Sequence, residues 1–166
     1  MFGTYENFPL NIHKKAYFTF SISARTVQKA LIKTMKELNG KTFKLEEFLT
    51  PSIPNTISTF EFGIAEEASF NYLDEEETQK ALKIIHRKTL PAIDFFCAIR
   101  YYKIQKSQKR PLKFDYYMIR FLFRKKTIEV RVFHERGPRH ASPEDLINFV
   151  ISKINELFGK RRLKPL

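Results

Sequence analysis

Sulfur chemistry is nearly absent from this chain: one cysteine, Cys97, occurs in 166 residues. A lone thiol can form neither an internal disulfide nor a cysteine-based zinc site. Its apolar neighbours mark it as an inert core residue. Glycine is scarce, at five residues, while lysine and glutamate abound. That balance leans toward the proteins of thermophiles. No apolar run reaches the roughly 18 residues of a membrane span. The opening MFGTYENFPLNIHKK lacks the charge-then-apolar order of a secretory signal. These absences predict a cytoplasmic protein without a membrane partner.

Catalytic motifs are missing as well. There is no Walker-type phosphate loop, no HExxH and no GxSxG. His13, His86, His134 and His140 are scattered without metal-ligand spacing. Asp94, Asp115 and Glu129 lie on predicted strands and have the chemistry for Mg²⁺, but strand parity keeps all three from meeting. The expectation is a non-enzymatic protein with no cofactor and no metal.

What the chain does have is positive charge. Thirty lysines and arginines face eighteen acids, a formal charge of +12. An isoelectric point near 9.8 calls for an acidic partner. The charge is concentrated. From Arg100 to Arg136 there are twelve lysines and arginines against three acids, interleaved with Tyr101, Tyr102, Phe114, Tyr116, Tyr117, Phe121, Phe123 and Phe133. Cations hold phosphates and rings stack on unpaired bases, which is the mixture of a single-strand groove. Residues 57–79 carry seven acids and no Lys or Arg, so the acidic and basic parts are predicted to form different faces.

Periodicity predicts strands over 16–23, 57–64, 93–104, 114–124 and 127–134, with 69–73 undecided between continuing the second strand and pairing with it. Helices are predicted over 24–38, 75–88 and 143–158. Ser23, Asp74 and Ser142 are their caps, Pro143 takes the first position of the last, and Asn39-Gly40 and Gly159 supply stops. The acids Glu75, Glu76 and Glu77 suit a helix's first turn better than a metal site. Residues 43–56 read as a helical turn and a loop marked by Pro51 and Pro54. Lys125-Lys126 is a tight turn. The predicted fold is α+β, a twisted, mainly antiparallel sheet of about five strands with helices on one face. Residues 1–159 form one nucleic-acid-binding domain, and 160–166 a basic flexible tail.

Parity points to the site. Side chains two apart share a face of a strand. Tyr17 opposes the apolar face of the first strand. Phe96, Arg100 and Tyr102 share a face of the 93–104 strand, as do Tyr116 and Arg120 in the next, and Arg131 and Phe133 in the last. Four strands thus place rings on one face, and three of them add arginines. The opposing expectation is a face covered by a second layer, such as segment 43–56. Buried arginines would need acids, and the basic block offers only Asp115 and Glu129. Lys103, Lys106, Lys109, Arg110 and Lys113 form a phosphate rim in the QKSQKRP connection and its flanks. Arg136, Arg139 and His140, around Gly137-Pro138, are a second anion site before the last helix.

The stretches KKAYFTFSISARTVQKALIKTMKELNG and KFDYYMIRFLF…IEVRVFHERGPRHASPEDLINFVISKINELF give the chain a layout that resembles ThermoDBP and its related proteins, single-stranded DNA-binding proteins of thermophilic archaea. The resemblance implies single-strand binding in a cleft with a hydrophobic floor and basic edges. It places Tyr102, Tyr116 and Phe133 on the floor, with Arg100, Arg120 and Arg131 beside them. The expected partner is single-stranded DNA or RNA, with DNA favoured. Two rivals stand: an RNA-binding subunit of a ribonucleoprotein, and a protein-interaction module whose basic face docks an acidic protein and whose Leu146, Phe149 and Leu157 pack in an oligomer.

Overall fold

The computed structural model describes residues 1–49 and 53–166; Pro51, in the expected proline-marked loop, lies outside them. Three helices form where caps and stripes coincide. Helix α1 (Ala24–Leu38) starts at Ser23, whose Oγ accepts from the Thr26 N–H at 3.1 Å. Helix α2 (Glu75–Arg87) starts at Asp74, which accepts from the Glu77 N–H at 2.9 Å. Helix α3 (Pro143–Phe158) starts at Ser142 and stops at Gly159, whose φ of +73° favours glycine. Each buries one stripe: Val27, Leu31 and Met35; Thr78, Ala81 and Ile85; Ile147, Val150, Ile151 and Ile154.

Among the described residues the sheet has nine strands instead of about five. They are β1 (Lys14–Thr19), β2 (Thr42–Lys44), β3 (Thr56–Glu66), β4 (Ser69–Tyr72), β5 (Ala92–Gln105), β6 (Gln108–Pro111), β7 (Asp115–Arg124), β8 (Thr127–Arg136) and β9 (Lys164–Pro165). The order is β2-β3-β5-β7-β8-β1-β9, with β4 against β3 and β6 against β5, and every pairing is antiparallel. The five long strands are those that alternation predicts. The four extra ones have two to four residues, too few for a period to register.

The helices cover one face of this open sheet. Phe60, Phe62, Phe95, Ile99, Tyr101, Tyr117, Phe121, Val130 and Val132 point into that core. Segment 43–49 packs there too, its Phe43 and Phe48 against Phe60 and Phe149, so it does not cover the opposite face. Leu146 and Phe149 are core, which leaves only Leu157 of the proposed oligomer surface exposed. The C-terminal tail, expected to be flexible, is docked on the fold. The Asn155 side chain accepts from the Arg162 and Leu163 N–H groups, Leu163 is fully buried, and Lys164–Pro165 pairs with β1.

A buried carboxylate ties β7 to the turn before α3. Asp115 is wholly inaccessible. Its oxygens accept from Tyr101 Oη (2.7 Å), the Arg139 N–H (2.6 Å) and the His140 N–H (2.8 Å), and lie 2.8 Å from His134 Nε2. Gly137 makes the approach possible. Its φ is +116°, and a Cβ there would stand 2.2 Å from the Phe114 carbonyl oxygen.

Burial pushes the phenols of Tyr101 and Tyr117 far above their ordinary value, with the Asp115 charge adding to it. The native state therefore holds two protons that the unfolded chain releases near pH ~10. Stability contributed by both is intact below that pH and is lost as pH rises above it. Alkaline titration followed by tyrosinate absorbance should show these two phenols ionising together with the unfolding signal. Their ionisation in a chain still folded would contradict the assignment.

Candidate nucleic-acid interface

The sheet face away from the helices carries the predicted set. Tyr17, Phe96, Arg100, Tyr102, Tyr116, Arg120, Arg131 and Phe133 all lie on it, since their strand neighbours fill the core. Register places Met118 between Phe96 and Phe133, and Arg120 between Asp94 and Arg131. This face is not uniformly open. The N-terminal residues 1–13 run across its middle.

Backbone hydrogen bonds fix that crossing. The Gly3 N–H reaches the Ala65 carbonyl (2.8 Å), the Asp94 N–H reaches the Gly3 carbonyl (2.6 Å), and the Glu6 N–H reaches the Glu67 carbonyl (2.8 Å). Beneath it Arg120 is held through two of its three nitrogens. Its Nε and Nη2 each lie 2.8 Å from an Asp94 oxygen, Nη2 also donates to the Tyr5 carbonyl, and the Phe8 ring caps the guanidinium at 4.3 Å. Asp94 is fully buried and also accepts from the Tyr5 N–H. The expectation of Arg120 as a phosphate ligand is corrected: it is a structural ion pair. Asp94 sits directly opposite Arg120 in register, and that acid lies just outside the basic block.

Arg120→Ala should therefore act on folding. It leaves the Asp94 charge buried and unpaired, at a cost of about 3–5 kcal/mol. Denaturant unfolding measures the loss. A change in the salt dependence of nucleic-acid binding without a loss of stability would contradict this placement.

The face is divided into two ends. At the β1–β8 end Phe133 stacks on His13 at 4.8 Å, and Tyr17 is partly exposed opposite Glu129. Arg131 pairs with Glu129, and Arg124 lies 3.7 Å from the same carboxylate. Burial pushes the Glu129 carboxyl up, but the Arg131 guanidinium outweighs this and holds it below its usual range. Arg131 is thus committed to an internal acid, and Phe133 is half covered.

The other end is a cleft of about 320 Å³ lined by Glu61, Phe70, Tyr72, Phe96, Arg100, Phe114 and Tyr116. Its floor is a row of rings. Centroids lie 5.6 Å apart from Phe70 to Phe96, 5.8 Å from Phe96 to Tyr116 and 6.1 Å from Tyr116 to Phe114. Tyr5 extends the row, 4.6 Å from Phe70. Gly63 keeps the floor clear, since a Cβ there would come within 3.1 Å of Phe70 Cβ. Two arginines rim the row, Arg100 at 5.1 Å from the Phe114 ring and Arg136 at 5.0 Å from the Tyr116 ring. Arg100 Nε lies 2.8 Å from Glu61, and both side chains are solvent-accessible. Nε itself is buried and makes no hydrogen bond with that carboxylate, so the pair is weak, about 0–1 kcal/mol.

The cleft is thus built partly from residues outside the predicted set. Phe70, Tyr72 and Phe114 join Phe96 and Tyr116, while Tyr102 stands further along β5 between Ile57 and Pro111. Phe70 and Tyr72 share a face two apart, the signal that marked the other rings, but on a strand of four residues. Glu61 in the cleft also corrects the separation of acidic and basic faces.

Basic residues continue beyond the rim. The QKSQKRP connection is not a loop but a hairpin, β5 turning at Lys106 and Ser107 (φ +43° and +67°) into β6. Lys103 and Arg110 face each other across it, a like-charge pair that is unfavourable without an anion. Lys106, Lys109, Arg110 and Lys113 are exposed, and none makes an ion pair among the described residues. The second anion site is corrected. The amides of Arg139 and His140 are there, but the Asp115 carboxylate already fills them. The Arg139 and Arg136 side chains remain exposed.

Asp94, Asp115 and Glu129 each hold different partners. Cys97 is fully buried, and burial pushes its thiol well up. No described helix is long and apolar enough to cross a membrane. No family model, curated protein or solved structure matches the chain.

Proposed function

We propose that this protein binds single-stranded nucleic acid without catalysis and largely without regard to sequence. The observation that carries this is the ring row Phe70–Phe96–Tyr116–Phe114 with Arg100 and Arg136 at its edge. The rings are tilted by 36–48° and spaced 5.6–6.1 Å. Bases stacked in a duplex are about 3.4 Å apart along a strand. A base on each ring has to leave its neighbours, which an unpaired strand does easily and a duplex does not. Every base has a π-face, so stacking is tolerant of sequence. The arginines and the β5–β6 hairpin hold phosphates, releasing counterions. The resemblance to the ThermoDBP proteins puts DNA before RNA.

The test is fluorescence anisotropy with a labelled strand and its matching duplex, as DNA and as RNA, across a salt series. Single-strand binding that outlasts duplex binding as salt rises supports the cleft. Binding of both forms that vanishes together would reduce the basic surface to a nonspecific charged face. Competition between DNA and RNA of one sequence then ranks the two.

A further inference from the structure

The helix layer carries a basic groove on the far side of the sheet from the cleft. It lies between α1 and α2, encloses about 340 Å³, and is lined by Lys29, Lys33, Leu82, Lys83, His86 and Arg87 alone. The two helices dock with Arg25 Nε donating to the Ile85 carbonyl at 3.2 Å. This brings two columns of like charge together: Arg25, Lys29 and Lys33 at intervals of four on α1, and Lys83 and Arg87 at the same interval on α2.

Like charges at that spacing weaken a helix. The α2 dipole favours His86 and Arg87 in the last turn but does nothing for Lys29, Lys33 or Lys83. No acid lines the groove, and none of its four permanent cations makes an ion pair among the described residues. Lys29 Nζ lies 3.0 Å from His86 Nδ1. An ammonium only donates, so Nδ1 accepts, and His86 keeps an Nε2–H to offer a ligand. Four cations, a further donor and one leucine, with no Phe, Tyr or Trp among them, suit phosphate oxygens better than bases.

We infer that this groove is a second nucleic-acid contact, which takes backbone phosphates and is indifferent to strandedness. It rests on the nucleic-acid reading of the chain but on none of the cleft's residues. The occupant follows from charge complementarity: a continuous polyanion can neutralise both columns at once, where separate small anions would each have to be captured. With the cleft on the opposite side of the sheet, one molecule can hold an unpaired strand and a duplex segment together.

The test is the full chain with Lys29→Gln, Lys33→Gln, Lys83→Gln and Arg87→Gln. Glutamine matches lysine and arginine in helix propensity, so the helices should persist. Anisotropy with labelled duplex DNA should show the slope of log K against log salt shrinking by about 3–4, at about 0.9 per phosphate. Duplex affinity near 0.1 M salt should fall at least ~tenfold, while a short single strand filling the cleft keeps its affinity. An unlabelled short strand, at a concentration just sufficient to fill the cleft, should not displace duplex from the wild type. An unchanged duplex slope, displacement one for one, or no duplex binding by the wild type would overturn the groove. Melting at low salt guards against misfolding: relief of repulsion should leave the variant at least as stable as the wild type. Should it melt lower, Lys33→Gln with Lys83→Gln, at two exposed positions, is the second variant, and it must still lower the slope by about 2. The two readings fail separately. If removing rings changes nothing but the groove variant loses duplex, the cleft falls and the groove stands.

Discussion

Phe96→Ala combined with Tyr116→Ala should lower single-strand affinity about a hundredfold or more while duplex affinity changes little. The two rings are neighbours in the floor, 5.8 Å apart, and each touches a further ring. Stacking contributes ~1–3 kcal/mol per base, and each 1.4 kcal/mol is about tenfold in affinity. Both residues lie on the face away from the core, so the fold should survive with a modest loss from the missing ring contacts. Phe96→Tyr and Tyr116→Phe keep the rings and should keep the binding. Anisotropy on matched single strand and duplex reads the result directly. An equal loss on both substrates would remove stacking from the mechanism and leave only charge.

Asp115→Ala should be the most damaging single change to stability, about 3–5 kcal/mol. At this chain length that is a fall in Tm on the order of 10–15 °C. Tyr101 Oη and the Arg139 and His140 amides all donate to this one buried carboxylate, and each would be left without an acceptor. Asp115→Asn should be nearly as harmful, because its NH₂ cannot accept the bonds that one oxygen now does. Thermal unfolding followed by circular dichroism measures both. The wild type separates this role from a nuclease: a carboxylate closed off by four partners has no free lone pair for a metal, so added Mg²⁺ should not raise its melting temperature. Near-normal melting of Asp115→Asn would show that the turn is held by something else.

The chain advertised its regular elements well. Three helices were legible because caps and apolar stripes agreed at Ser23, Asp74 and Ser142. Five strands were legible because alternation over six or more residues reports which face is wet. That alternation also put Phe96, Tyr116 and Phe133 on one side of the sheet. What it could not reveal was the crossing of that side by residues 1–13. This segment has no period, and most of its anchors are main-chain groups that meet Ala65, Glu67 and Asp94, distant in sequence. The fate of Arg120 followed from that crossing and from the β5–β7 register, which parity alone does not set. Phe70 and Tyr72 were missed because β4 is so short. The tail looked mobile because its composition is basic, yet Leu163, the Asn155 amide and pairing with β1 anchor it.

The lengths of the outermost strands bear on how molecules of this kind behave when crowded. The marginal strands β2, β4, β6 and β9 have two to four residues each. β6 ends in Lys109, Arg110 and Pro111, β9 ends in a proline that has no N–H to give, and the stretch of β1 beyond β9 begins with Lys14 and Lys15. Short, charged or proline-bearing margins are poor templates for strand addition from another chain. A large open sheet with abundant aromatics would otherwise be prone to fibre growth. Here the margins deny that route, so concentrated copies should meet through their faces and remain in solution.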